Sequence, residues 1–156
     1  MIVKGLVIGV LATLMMDMWA LLLKHGFHVA VTDWAMVGRW VGYFPRGRFF
    51  HSPIAASPAI PHERVLGWCV HYATGIVYSL LYLGILQYVL HIGPTLFSAV
   101  IFGLTTLVSP WLIMQPGMGA GVFSVNAPKP WTARLKSISM HVVFAAGLYG
   151  GCVLME

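Results

Sequence analysis

Asp17 stands inside an apolar run, LATLMMDMWALLL (residues 11–23), and His71 and His141 stand inside two others. One carboxylate with two imidazoles is a facial set suited to iron or zinc, with coordination positions left open for a ligand. Without a metal the same groups make a proton relay or a small-cation site, since ionisable side chains inside a membrane most often mark function. The plainer reading is a buried polar knot that ties three helices together. Spacing lends a metal little weight, because no close pair of the H-E-x-x-H kind occurs. Met15, Met16, Met18, Met114, Met118 and Met140 fall near the same depth, and thioethers beside imidazole suit Cu(I), but methionine is foremost a core filler. No G-x-S-x-G, P-loop or dinucleotide fingerprint is present, so hydrolase and nucleotide readings lack support and no catalytic residue is assigned.

The elements that must carry these groups follow from composition. Of 156 residues 59% are hydrophobic and 8% charged; a soluble domain carries about 25% charged residues. That is too little charge to coat a globule, and the chain reads as one integral membrane domain, an all-α bundle of four transmembrane helices. Stretches long enough to cross about 30 Å of hydrocarbon cover roughly 3–23, 66–90, 95–114 and 137–155. The first has a long apolar core holding an acid, so it is expected to be a retained span and not a cleaved signal. Only residues 91–94 separate the second and third, which predicts an antiparallel hairpin. The formal charge of +5 is spread thinly, with no basic stripe, which argues against nucleic acid as a partner.

Orientation follows from the basic residues. Lys24, Arg39, Arg46, Arg48 and Arg64 flank or fill the first loop, and Lys129, Arg134 and Lys136 the third; Lys4 alone falls on the other side. The positive-inside rule then puts loops one and three in the cytoplasm of an inner membrane, with both termini outside. Cys69 and Cys152 fall near opposite ends of their spans, too far apart for the Cα separation of about 7 Å that a disulfide allows. The first loop, 24–65, is long enough to have structure of its own. WAMVGRWVGYF predicts a short helix over 33–43 lying in the headgroup layer. SPIAASPAIP (residues 52–61) reads as an extended proline-rich tether, and Pro61 and Glu63 as the opening of the second span.

Stepping by four gives Gly5, Gly9, Thr13 and Asp17; Gly67, His71, Gly75 and Ser79; Ser137, His141, Ala145 and Tyr149. Each series is a small-or-polar stripe on one helix face, the face on which membrane helices approach closely. Span three adds Ser98, Thr105 or Thr106, and Ser109, with Pro110 expected to kink it. Counted from Lys24, Arg64 and Lys136, the three titratable residues lie roughly 7–10 Å inside the cytoplasmic boundary. Gln115 reaches the same side. MQPGMGAG (residues 114–121) is expected to resist regular helix at Pro116, Gly117, Gly119 and Gly121, to cover the mouth, and to offer amides to an anion. Arg46, Arg48, His51, His62 and Arg64 could line that mouth; His51 and His62 are expected to be solvated, and Arg46 and Arg48 to meet phosphate or anionic headgroups.

WAMVGRWVGYFPRGRF, HYATGIV, MQPGMGAG and HVVFAAGLY, in this order, resemble an uncharacterised bacterial family of four-span inner-membrane proteins, domain of unknown function 2938. The resemblance implies an inner-membrane bundle and supplies no activity. The residues themselves leave three classes open: binding or transport of a small ion, proton or metal, in a homo-oligomer because four spans make a narrow bundle; an enzyme acting on a lipid or isoprenoid headgroup, with a histidine as base and loop arginines on phosphate; or a structural protein that assembles others on loop one.

Overall fold

The computed structural model describes residues 1–155, and all regular structure in them is helical. The elements are α1 (Ile2–Gly26), α2 (Trp34–Gly42), α3 (Glu63–Gly84), α4 (Leu96–Thr105), α5 (Gln115–Met118) and α6 (Pro130–Leu154). Four helical segments, Ile2–Gly26, Glu63–Leu90, Leu96–Met118 and Pro130–Leu154, are long and apolar enough to cross a membrane. Two start earlier than hydropathy suggests. The charged first turns of α6 mask its onset, and Pro130 sits at the first helical position, where its missing N–H costs nothing. The third is interrupted: α4 stops at Thr105, and a π-helical stretch, Ser109–Met114, continues to α5. Pro110 has no N–H for the Thr106 carbonyl and its ring crowds that carbonyl, so the ladder breaks in the turn before the proline.

The chain divides into two compact units. The first comprises Met1–Val31, Tyr72–Thr106 and the chain from Ile138 onward. It is a four-helix bundle in which each helix runs against its neighbours in the opposite direction. A Cβ on Gly9 would lie 2.6 Å from the Ile76 Cα, and one on Gly147 would lie 2.6 Å from the Ala12 Cα, so α1 touches α3 and α6 backbone to backbone. Gly103 of α4 meets Ala145 and the His141 carbonyl of α6 in the same way. Tyr82 closes the ring by hydrogen-bonding Ser98 at 2.9 Å across the hairpin. Ile8, Ala12, Phe144 and Leu148 fill the centre, while Leu6, Leu14, Met18 and Leu21 point outward, as bilayer-facing side chains do. The small-residue stripes are thus the inward faces, as read. Ser79 is fully buried and its hydroxyl has no hydrogen-bond partner among the described residues. Removing an unsatisfied buried hydroxyl lifts a penalty of about 1 kcal/mol. Ser79→Ala is therefore expected to unfold at the same or a higher temperature, as a thermal melt in detergent would show.

The second unit comprises Thr32–His71 and Leu107–Ser137. Asp33 caps α2 by accepting from the Ala35 N–H at 2.9 Å. The helix is not a free surface element. It runs back along the first turns of α3: Trp34 stacks on His71, Gly38 meets Glu63 and Gly67, and Gly42 meets Leu66. A Cβ on Gly38 would lie 2.6 Å from Gly67 N and overlap the Glu63 carbonyl oxygen; one on Gly67 would overlap the Trp34 carbonyl. Arg39, the lone charge of α2, is 8% exposed and forks onto Glu63, Nε to Oε2 at 2.8 Å and Nη2 to Oε1 at 2.7 Å. Glu63 raises the guanidinium pKa above its ordinary value, so Arg39 stays charged at any pH the fold meets.

The proline-rich stretch is also more than a tether. Arg39 donates to the Ser57 carbonyl at 2.9 Å, Tyr43 donates to the Pro58 carbonyl at 2.9 Å, and Ile54–Ala56 forms a 3₁₀ turn with Ile54 buried. Proline composition predicted the extended backbone; the buried guanidinium and phenol decide where its carbonyls point.

Candidate functional site

Asp17 lies nine residues, roughly 13 Å, from the C-terminal end of α1. Its Oδ2 accepts a hydrogen bond from the Tyr72 hydroxyl at 2.8 Å. Two residues on, Trp19 Nε1 donates to Ser139 of α6 at 3.1 Å. With Ile8 against Gly151 and Ala12 against Gly147, this register puts Asp17 level with His141. His141 Nδ1 lies 2.7 Å from the Thr106 hydroxyl and 3.2 Å from the Gly103 carbonyl. A carbonyl can only accept, so the Gly103 contact assigns the ring proton to Nδ1 and leaves Nε2 as the basic nitrogen. Thr106 itself donates to Gly103 at 2.6 Å. The first unit therefore holds one polar layer with a member on each helix: Asp17 on α1, Tyr72 on α3, His141 on α6, and Thr106 just past the end of α4. Tyr72 and Thr106 complete it; sequence reasoning offered Thr105 or Thr106 for span three and did not place Tyr72 there. Their signal was depth: Tyr72 follows His71, and Thr106 precedes Pro110 by four.

His71 is buried, in the second unit, with its ring stacked on Trp34 at 3.9 Å and 23° and tilted against Trp68 at 5.8 Å. Among the described residues no group of three or more His, Cys, Asp or Glu side chains is placed to hold a metal ion. The iron or zinc set expected from Asp17, His71 and His141 thus has no counterpart among the described residues. Among the described residues neither Cys69 nor Cys152 forms a disulfide.

The glycine segment also departs from expectation. Gln115–Met118 is a helical turn, since proline is tolerated at its first positions, and Gly119 at φ 94° ends it. The Gly119 N–H goes to the Pro116 carbonyl at 3.1 Å and the Ala120 N–H to the Gln115 carbonyl at 2.8 Å. Those amides close the turn and are not offered to an anion. A Cβ on Gly117 would lie 2.5 Å from Trp40 Nε1, and one on Gly119 would lie 2.6 Å from the His51 carbonyl; His51 N donates to the Gly117 carbonyl at 2.9 Å. The glycines are thus the floor on which loop one packs. Gly121, at φ 73°, carries the chain on from this turn. His51, expected in solvent, is 7% exposed, with Nδ1 at 2.8 Å from Ser57 Oγ. Its Nε2, like Gln115 Oε1 and Trp111 Nε1, is buried without a hydrogen-bond partner among the described residues. His62 is exposed, as expected, and Arg64 is exposed too.

A family model described as Protein of unknown function (DUF2938) matches residues 6–155. The chain belongs to the DUF2938 family. The resemblance read from four sequence segments therefore holds over nearly the whole chain. No curated protein and no solved structure matches it. In this DUF2938 chain the polar groups that could do chemistry lie in the polar layer and in the second unit. In the latter the Arg39–Glu63 fork escaped notice although the signal existed: Glu63 is one of only four acids in the sequence, and Arg39 is the lone charge in an apolar helix.

Proposed function

We propose that the protein binds or passes a proton or another small cation at the layer formed by Asp17, Tyr72, Thr106 and His141. The hydrogen bond between Asp17 and Tyr72 inside a candidate span carries this reading. A charged aspartate near a helix centre costs about 2.5–3.5 kcal/mol on insertion scales. The bond from the neutral Tyr72 phenol returns part of that. A knot meant solely to join helices needs no acid; a serine or asparagine would serve. His141 adds an imidazole whose Nε2 is the acceptor. A homo-oligomer would widen the path.

A structural role is the second reading, favoured by the bonds from His141 to Thr106 and Gly103, which join α6 to α4. Proton flux into liposomes loaded with a pH-sensitive dye separates the two. Asp17→Asn, which keeps shape and hydrogen bonding, is expected to cut flux at least tenfold while the thermal melt moves little. Ser79→Ala is the matched control and should conduct normally. Unaltered flux with a lowered melting temperature in Asp17→Asn would leave only the structural role.

A further inference from the structure

Between Asp33 and Glu63 the sequence holds three arginines and no acid. Glu63 engages Arg39, and among the described residues Arg46 and Arg48 have no acid partner. Both sit over one ring: the Arg46 guanidinium is 5.2 Å and that of Arg48 5.1 Å from the Tyr43 centroid. That ring is fixed. Tyr43 is 3% exposed, its hydroxyl is tied to Pro58, and the His51 ring meets it edge-on at 5.1 Å. Trp40 Nε1 donates to the Phe49 carbonyl at 2.8 Å and pins the chain just beyond the arginines. Phe49 and Phe50 then project outward, 50% and 76% exposed.

Two like charges held over one ring call for an anion, and two bare phenylalanines beside them call for an apolar surrounding. A soluble phosphate satisfies the first demand and not the second. The place in the fold agrees. Because α2 runs back along α3 with Gly38 against Glu63, the first residue of a candidate span, Tyr43 emerges just beyond that end, beside Pro58, where headgroups lie. We propose that Arg46 and Arg48, stacked on Tyr43, seat the phosphate of an anionic lipid headgroup, with Phe49 and Phe50 entering the acyl boundary beside it. This is independent of the polar layer in the first unit. Guanidinium suits the task because its planar fork matches phosphate and stacks on an aromatic face.

The test is native mass spectrometry of the full chain in nonionic detergent, titrated with palmitoyl-oleoyl phosphatidylglycerol or the matching phosphatidylcholine. The wild type is expected to prefer the anionic lipid. Each guanidinium near a headgroup is worth about fivefold in affinity, so Arg46→Gln with Arg48→Gln should weaken phosphatidylglycerol binding about 25-fold and abolish the preference. The single variants should each lose about fivefold, and they serve if the double variant folds poorly. Phe49→Ser with Phe50→Ser should weaken both lipids and keep the preference. Wild-type affinity for phosphatidylglycerol in the double arginine variant would overturn the proposal. Displacement of the lipid by an equal concentration of inorganic phosphate would overturn it in favour of a soluble anion.

Discussion

An alanine at Gly38 is expected to destabilise the protein by about 3 kcal/mol or more, although glycine in mid-helix is otherwise the worse residue. In an unhindered helix Gly→Ala gains about 1 kcal/mol. Here the added methyl would overlap the Glu63 carbonyl and stand 2.6 Å from Gly67 N. Both neighbours are helix backbone and cannot turn aside as a side chain would. The helices must part by about 1 Å, and overpacking of that kind costs roughly 1–3 kcal/mol before any other loss. The same movement strains the Arg39–Glu63 fork and the Trp34–His71 stack, which need the present spacing. The sign makes the experiment decisive. Were α2 lying free in the headgroup layer, as its sequence suggests, Gly38→Ala would raise the melting temperature in detergent. Docked on α3 it must lower it, and Gly67→Ala must do the same from the other side.

Glu63→Gln is expected to cost about 3 kcal/mol by leaving Arg39 charged, 8% exposed and without its counterion. Only carbonyls remain for it, that of Ser57 at 2.9 Å and that of Ala55 at 3.5 Å. The glutamine also gives up one oxygen of the fork, and with it the bond from the Ile60 N–H to Oε2 at 3.1 Å if the amide nitrogen is turned inward. A pair that is costly to break need not be costly to delete together. Arg39→Met combined with Glu63→Gln is thus expected to recover most of the loss. A double-mutant cycle from chemical unfolding in mild detergent reads the coupling directly. A Glu63→Gln variant within 0.5 kcal/mol of wild type would mean that the fork is an ornament of the loop and not what fixes it.

The bundle was legible because a membrane leaves a chain few choices. Long apolar runs must be helices, and Gly9, Gly75, Gly103 and Gly147 mark where those helices touch. The candidate site was legible only in depth. Asp17 and His141 were placed on one level by counting from basic residues, and the structure gives them that level. Counting along a helix does not resolve rotation: His71 and Tyr72 are adjacent in sequence and about 100° apart around α3, enough to give Asp17 the hydroxyl of Tyr72 and to lay His71 on Trp34.

Loop one was legible least. Its composition named Arg39, Arg46, Arg48 and His51 without telling which was buried. Burial depended on partners distant in sequence: Glu63 for Arg39, and Ser57 with the Gly117 carbonyl for His51. By itself, then, the sequence determined that this is a helical membrane protein of four spans with titratable groups inside it, because period, length and charge scarcity act locally. Only the tertiary structure decided which of those groups meet, that α2 lies along α3, and that Arg46 and Arg48 meet no acid among the described residues. Each of these outcomes depends on side chains meeting across chain separations that no local pattern encodes.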